Sequence, residues 1–314
     1  MTDRLGILVY ARDPEPIAEA LRRRGVQDPI ATAANAETAR KRIPDAEVLF
    51  SWRLPPDLYA LGRRLRWVQS MGAGVEDIVA ASAMPEGVVI TRIVDQFGVS
   101  ISEYVMGELL SRVRRMDEVR AMQRDRRWGH FVAGSLEGRT VGVAGLGSIG
   151  REVVRKARAF DMRVYGLSRT GTSAGLVDRH FGPDAWEAFV RDLDVLVLTL
   201  PLTPETAGAV GPKVLAAMRP ESVLVNVGRG ALVPEAALID ALRRGRPGGA
   251  ILDVFEREPL PSDSPLWDMQ GVTVTPHVSG PSRTEDVTDF FVANFERLRR
   301  GEPLVGVVDR QAGY

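Results

Sequence analysis

Val141-Gly-Val-Ala-Gly-Leu-Gly-Ser-Ile-Gly150 decides how this chain is read. Thr140 to Ala144 is a short apolar run with β-branched residues, the pattern of a strand buried on both faces of a parallel sheet. Gly145, Gly147 and Gly150 follow in G-x-G-x-x-G spacing, and Arg151 to Phe160 continues without Gly or Pro at helical periodicity. Gly145 permits the tight turn, Gly147 lets backbone approach a pyrophosphate, and Gly150 lets helix pack against strand. A helix N-terminus placed there offers free N–H groups to phosphate. Glycine-rich turns are common, so the strand before and the helix after carry the dinucleotide reading.

Downstream, the strand–helix rhythm repeats. Strands are expected at Arg163–Leu167, Asp194–Thr199, Ser222–Val227, Gly249–Val254 and Val272–Thr275. Helices are expected at Pro212–Met218 and at Pro234–Arg244, the latter closed by Gly245. Six strands joined by crossovers imply a parallel, doubly wound sheet. Upstream, Leu5–Tyr10, Glu47–Phe50, Leu65–Ser70 and Val88–Thr91 are expected strands, with a helix at Pro14–Arg24 ended by Gly25. Between the halves, Ser100–Arg127 contains only Gly107 as a breaker, which predicts one long helix. Ser282–Arg300 comes too late for the second sheet and is expected to return to the N-terminal domain.

The 314 residues suffice for two domains. Lys plus Arg and Asp plus Glu are both 41, so no net field draws the chain to nucleic acid or membrane. The sequence has no cysteine, which excludes disulfides, thiolate metal sites and a cysteine nucleophile. No apolar run is long enough to span a membrane and no signal peptide is evident, so a cytoplasmic protein is expected.

In an open parallel sheet the ligand lies beyond the carboxyl ends of the strands. Those ends here lead to the glycines, to Asn226-Val-Gly-Arg-Gly230, to Asp253-Val-Phe-Glu-Arg-Glu-Pro-Leu260 and to Thr275-Pro-His277. Arg229, Glu258 and His277 thus converge on one edge. Taken singly, Arg229 reads as a surface arginine, Glu258 as a loop cap and His277 as a structural histidine; their convergence favours catalysis. After the Leu65–Ser70 strand, Gly72-Ala-Gly-Val75 reads either as a tight turn or as N–H donors for a substrate carboxylate. The strand ending at Leu167 runs into Ser168-Arg169-Thr170, with no acidic residue until Asp178. An acidic residue there would bind a ribose 2′-hydroxyl. Hydroxyls and a guanidinium suit a 2′-phosphate instead, which predicts NADP(H), with NAD(H) as the lesser alternative.

These segments, with Leu200-Pro-Leu-Thr-Pro-Glu-Thr206, resemble the D-isomer-specific 2-hydroxyacid dehydrogenase family over nearly the whole chain. Ser102-Glu-Tyr104 and Ser168–Thr170 are most similar to its glyoxylate/hydroxypyruvate reductase branch. The resemblance implies a Rossmann cofactor domain (100–281, with the linking helix 100–127) inserted into a flavodoxin-like substrate domain (1–99 plus 282–314), both doubly wound α/β. It implies Arg229, Glu258 and His277 as the catalytic set, and Ala73 and Gly74, with Arg229, as substrate-carboxylate ligands. Gly145, Leu146, Gly147, Ser148, Ile149, Gly150, Ser168, Arg169, Thr170, Leu200, Pro201, Thr206, Val227, Gly228, Asp253 and Gly280 would line the cofactor. Glu76 stands where the family usually has aspartate. The expected chemistry is reduction of a small 2-keto acid to the D-2-hydroxy acid, with the proton from His277. No metal is implied. A homodimer through the cofactor domain and the 100–127 helix is expected, partly from the apolar content of that helix. The alternatives are a nucleotide-sensing corepressor on the same fold and a formate- or phosphite-type dehydrogenase.

Overall fold

In the computed structural model, residues 4–310 and 313 are described. The chain divides into two compact units, residues 1–96 with 282–314, and residues 97–281.

In the first unit, β1 (Ile7–Tyr10), α1 (Glu15–Arg23), β2 (Ile30–Ala33), α2 (Ala36–Arg42), β3 (Val48–Ser51), β4 (Trp67–Ser70), α3 (Glu76–Val79) and β5 (Val89–Thr91) follow one another. The strands make a parallel sheet in the order β2-β1-β3-β4-β5, the flavodoxin-like arrangement. The sequence reading lacked β2 and α2. Ile30-Ala-Thr-Ala33 is a half-buried edge strand, and α2 is mostly charged, so neither carries a strong apolar period. Asn35 starts α2 as an N-cap, its side chain accepting from the Thr38 N–H at 2.9 Å.

The second unit begins with α4 (Gly98–Val113) and α5 (Met116–Arg124). The single helix expected over Ser100–Arg127 is therefore two. Arg115 turns left-handed at φ 54°, and the Val113 carbonyl accepts from the Gly134 N–H. A Cβ on Gly134 would lie 2.8 Å from the Val113 side chain, so the returning loop packs directly on the end of α4. Packing by this loop, not local propensity, ends the helix.

There follow β6 (Thr140–Ala144), α6 (Ser148–Ala159), β7 (Arg163–Leu167), β8 (Arg179–Phe181), α7 (Trp186–Val190), β9 (Val195–Leu198), α8 (Pro212–Ala217), β10 (Val223–Asn226), α9 (Glu235–Arg243), β11 (Gly249–Leu252) and β12 (Val272–Val274). All seven strands are parallel, in the order β12-β11-β10-β9-β6-β7-β8, so six expected strands become seven. The addition, β8, is three residues long at the sheet edge, too short for a periodic signal. The core consists of Val, Leu and Ile from β6, β9, β10 and β11, residues that are 0–3% exposed along most of these strands. Such continuous burial explains why these strands read as unbroken apolar runs.

The chain closes with α10 (Thr284–Arg300), in the first unit. Phe291 and Phe295 of this helix stack with Phe50 and Trp67, ring centroids 4.5 to 6.4 Å apart. Arg24 binds Asp289 and Glu285 on its outer side. Asn294, buried, donates to the Val305 carbonyl and to Gln69 Oε1, and so ties α10 to β4. No helix among the described residues is long and apolar enough to cross a membrane.

Candidate active site

The glycine-rich turn has the geometry its sequence requires. Gly145 lies at φ 97°, where a side chain would be strained. A Cβ on Gly150 would sit 1.8 Å from the Gly145 carbonyl oxygen, so helix and strand meet at backbone distance. Gly147 faces open space, with nothing within 4 Å of a Cβ, directly before the twelve-residue helix α6. The Thr199 hydroxyl, at the end of β9, donates to the carbonyls of Ala144 and Gly145 and braces the turn. This bare backbone at a helix N-terminus fits the pyrophosphate of a dinucleotide. Leu146 is buried against Gly166 of β7, while Ser148 and Ile149 are half-buried in the first turn of α6.

Past β7, Arg169 and Thr170 are exposed and Ser168 is half-buried. The Ser168 hydroxyl is 2.8 Å from His180 Nε2, a partner that sequence reasoning missed because β8 itself was missed. Glu205 faces this corner from the loop after β9. Its carboxyl is held below the usual carboxylate range by the Thr203 hydroxyl and its own backbone N–H, with Arg169 adding positive charge. Thr206 braces the same loop: its hydroxyl donates to the Pro201 carbonyl and accepts from the Thr203 N–H. Leu200 and Pro201 are half-buried beside it.

Arg229 follows β10 on a turn held from inside. Buried Asn226 donates to the Arg229 carbonyl at 2.9 Å and accepts from the Gly228 N–H at 3.2 Å. Val227 and Gly228 are buried, and a Cβ on Gly230 would fall 1.9 Å from the Phe255 carbonyl carbon. Only glycine lets the turn lie this close to the segment after β11. On that segment, Glu258 Oε1 accepts from the Phe255 N–H at 3.1 Å, and Oε2 lies 2.9 Å from His277 Nδ1. Burial pushes the Glu258 carboxyl up. Its bonds with His277 and the Phe255 N–H, with the nearby charge of Arg229, outweigh that and hold it below its ordinary value. An ionised carboxylate on Nδ1 makes that nitrogen the N–H donor and leaves Nε2 as the ring's other working position. His277 itself is half-exposed and lies at φ 52°, a left-handed conformation costing a non-glycine residue roughly 1–3 kcal/mol.

Asp253 is completely buried, and its carboxylate serves the chain's own backbone: it accepts from the Val278 and Ser279 N–H groups, both at 2.9 Å, and from the Thr275 hydroxyl. Gly280 follows this turn, and a Cβ there would lie 3.1 Å from the Ile101 side chain of α4, closer than ordinary van der Waals contact. Among the described residues no group of His, Asp and Glu could hold a metal ion.

In the first unit, the Gly72–Val75 loop follows β4. Ser70 accepts from the Gly72 N–H at 3.2 Å, and its hydroxyl donates to the Gly74 carbonyl at 3.4 Å. The Trp52 ring covers Gly72, 2.8 Å from where a Cβ would stand, and Ala73 and Gly74 are half-exposed.

A parallel sheet with this phosphate turn, and a His–Glu pair beside an arginine past its strand ends, defines a nicotinamide-dependent oxidoreductase. The chain belongs to the D-isomer specific 2-hydroxyacid dehydrogenase family, whose NAD-binding domain matches residues 106–279. It is similar to the glyoxylate/hydroxypyruvate reductase A of Escherichia fergusonii, 34% identical over 275 residues that cover 86% of this chain and 88% of the relative. Among solved structures it resembles a D-isomer specific 2-hydroxyacid dehydrogenase family protein from Aeromonas salmonicida (35% identity, TM-score 0.89, 98% of this chain and 100% of that one). It also resembles the NADPH-dependent glyoxylate/hydroxypyruvate reductase of Sinorhizobium meliloti in complex with NADP and sulfate (31% identity, TM-score 0.90, 99% and 100%). Within the family the chain falls with the glyoxylate/hydroxypyruvate reductase A branch.

Proposed function

We propose that this protein reduces a small 2-keto acid of the glyoxylate or hydroxypyruvate class to the D-2-hydroxy acid, with NADPH preferred over NADH. The unit formed by residues 97–281 serves as the dinucleotide-binding domain, and the unit of residues 1–96 with 282–314 as the substrate domain. Bound nicotinamide supplies the hydride. Everything else falls to the chain's own residues. Arg229 presents a planar fork of donors to the keto acid, and the N–H groups of Ala73 and Gly74 donate to its carboxylate. His277 donates a proton from Nε2 to the carbonyl oxygen as negative charge develops there, while Glu258 holds the ring through Nδ1. The His277 Nδ1–Glu258 Oε2 pair at 2.9 Å is the observation that carries this reading.

The cofactor preference rests on Ser168, Arg169 and Thr170 after β7, and the Sinorhizobium relative, named as NADPH-dependent, supports it. The remaining cofactor contacts fall to Gly145–Gly150, Leu200, Pro201, Val227, Gly228 and Gly280. Thr206 and Asp253 contribute through the loops they brace. We also propose that two copies associate through the cofactor domain and its α4–α5 region into a homodimer.

The test is oxidation of NADPH and NADH across a panel of 2-keto acids from glyoxylate to phenylpyruvate. Turnover is expected with the two-carbon and three-carbon acids, kcat/KM falling as the side chain grows. NADPH binding without turnover on any of them would contradict the reading and leave a nucleotide sensor.

A further inference from the structure

His277 stands in a left-handed backbone conformation that few non-glycine residues adopt, and the structure around it holds it there. Its own N–H bonds the carbonyls of Asp253 at 3.0 Å and Thr275 at 3.1 Å, and the two residues after it are gripped by the Asp253 carboxylate. The third donor to that carboxylate is the Thr275 hydroxyl, on Oδ1 at 2.5 Å. A threonine hydroxyl has one proton. With that proton given to Asp253, Thr275 can only accept from its other neighbour, the Tyr104 hydroxyl at 2.7 Å. The chain of donors therefore runs from the Tyr104 phenol to Thr275 to Asp253, and ends on the turn that carries His277. Burial raises the Tyr104 phenol above its ordinary value, against the pull of its bond to Thr275, so it stays a neutral donor. Tyr104 lies on α4, 171 residues from Thr275 in sequence, and the mechanism above gives it no task.

We propose that Tyr104 is a positioning residue: acting through Thr275 and Asp253, it fixes the backbone of His277 and with it the direction of the proton-donating ring. The inference rests on the assignment of His277 as proton donor. A hydrogen bond from the α4 tyrosine to the Thr275 hydroxyl, itself bonded to the buried Asp253 carboxylate, limits how far the Thr275–Ser279 turn can drift, and small misplacements of a reacting group are costly in rate. Hydrogen bonds arranged in series also polarise one another, so loss of the first weakens the grip of the last.

The experiment compares wild type with Tyr104→Phe, Thr275→Val and Thr275→Ser. Each is measured for kcat and KM with glyoxylate and NADPH, and for NADPH affinity by fluorescence titration. Imidazole nitrogen NMR adds a direct view of the ring; the chain has three histidines, and His277→Ala identifies the signal. Tyr104→Phe and Thr275→Val are expected to lower kcat about 10-fold with KM and NADPH affinity unchanged. The His277 signal should broaden or shift while the other two stay, and Thr275→Ser should behave as wild type. Unchanged kcat and an unmoved His277 signal in Tyr104→Phe would overturn the proposal. So would a loss of rate shared equally by NADPH affinity, which marks general loosening. Should one variant fail to fold, the other supplies both readouts. If wild type reduces no keto acid, the functional reading fails, and the NMR arm still decides the positioning role.

Discussion

Arg229, Glu258 and His277 lie far apart in sequence, yet all three stand on segments that follow strands of one parallel sheet, β10, β11 and β12. Their placement is legible in the sequence, because a strand end is a place and strands buried on both faces announce themselves; their catalytic roles are part of the proposal. Residues whose roles depend on where another element packs were not legible. Tyr104 reads as one apolar position in a helical stripe, and nothing local links it to Thr275. His180 reads as a stray histidine, yet it lies 2.8 Å from the Ser168 hydroxyl. Asp253 reads as a cofactor ligand by resemblance, whereas its carboxylate binds the backbone of the His277 turn. The position of Arg169 after β7 is legible in the same way, and its role toward a 2′-phosphate is proposed. Arg169→Ala is expected to weaken NADPH by roughly 10-fold or more while leaving NADH little changed, since a hydrogen bond to a charged partner contributes about 1.5–3 kcal/mol. Ratios of kcat/KM for the two cofactors decide it; an unchanged ratio would remove Arg169 from the 2′-phosphate.

At the level of elements, the sheets were anticipated better than their edges. The central strands are apolar throughout and stand out, while β2 and β8 lie at sheet edges, are short and carry polar residues. The single helix expected over Ser100–Arg127 breaks for a different reason: Gly134, on a loop further along the chain, packs on Val113, which no periodicity records. The break creates α5, which has no buried residue, and a following segment in which Trp128 is 91% and Val132 94% exposed. Two large apolar side chains this exposed on one short segment suit an interface more than a free surface. The proposed homodimer predicts that wild type sediments as a dimer at micromolar concentration and that Trp128→Asp with Val132→Asp shifts it toward monomer. A wild type that is monomeric under those conditions would contradict it.

For the molecule as a whole, two parallel-sheet units follow from a chain that interrupts one α/β fold with another and returns to it through α10. Equal numbers of acidic and basic residues leave no global field, so substrate choice falls to local donors rather than to long-range steering. In the proposed function Arg229 and the Ala73 and Gly74 N–H groups are the carboxylate donors, and His277 is paired with Glu258 past the strand ends. The central claim is that His277 delivers the proton in reduction of a 2-keto acid. Its most direct measurement is kcat for glyoxylate with saturating NADPH in wild type and His277→Ala, alongside the NADPH dissociation constant of each. Loss of a general acid predicts kcat lower by roughly 100- to 10,000-fold with cofactor affinity intact. A His277→Ala enzyme that retains near wild-type kcat would contradict it.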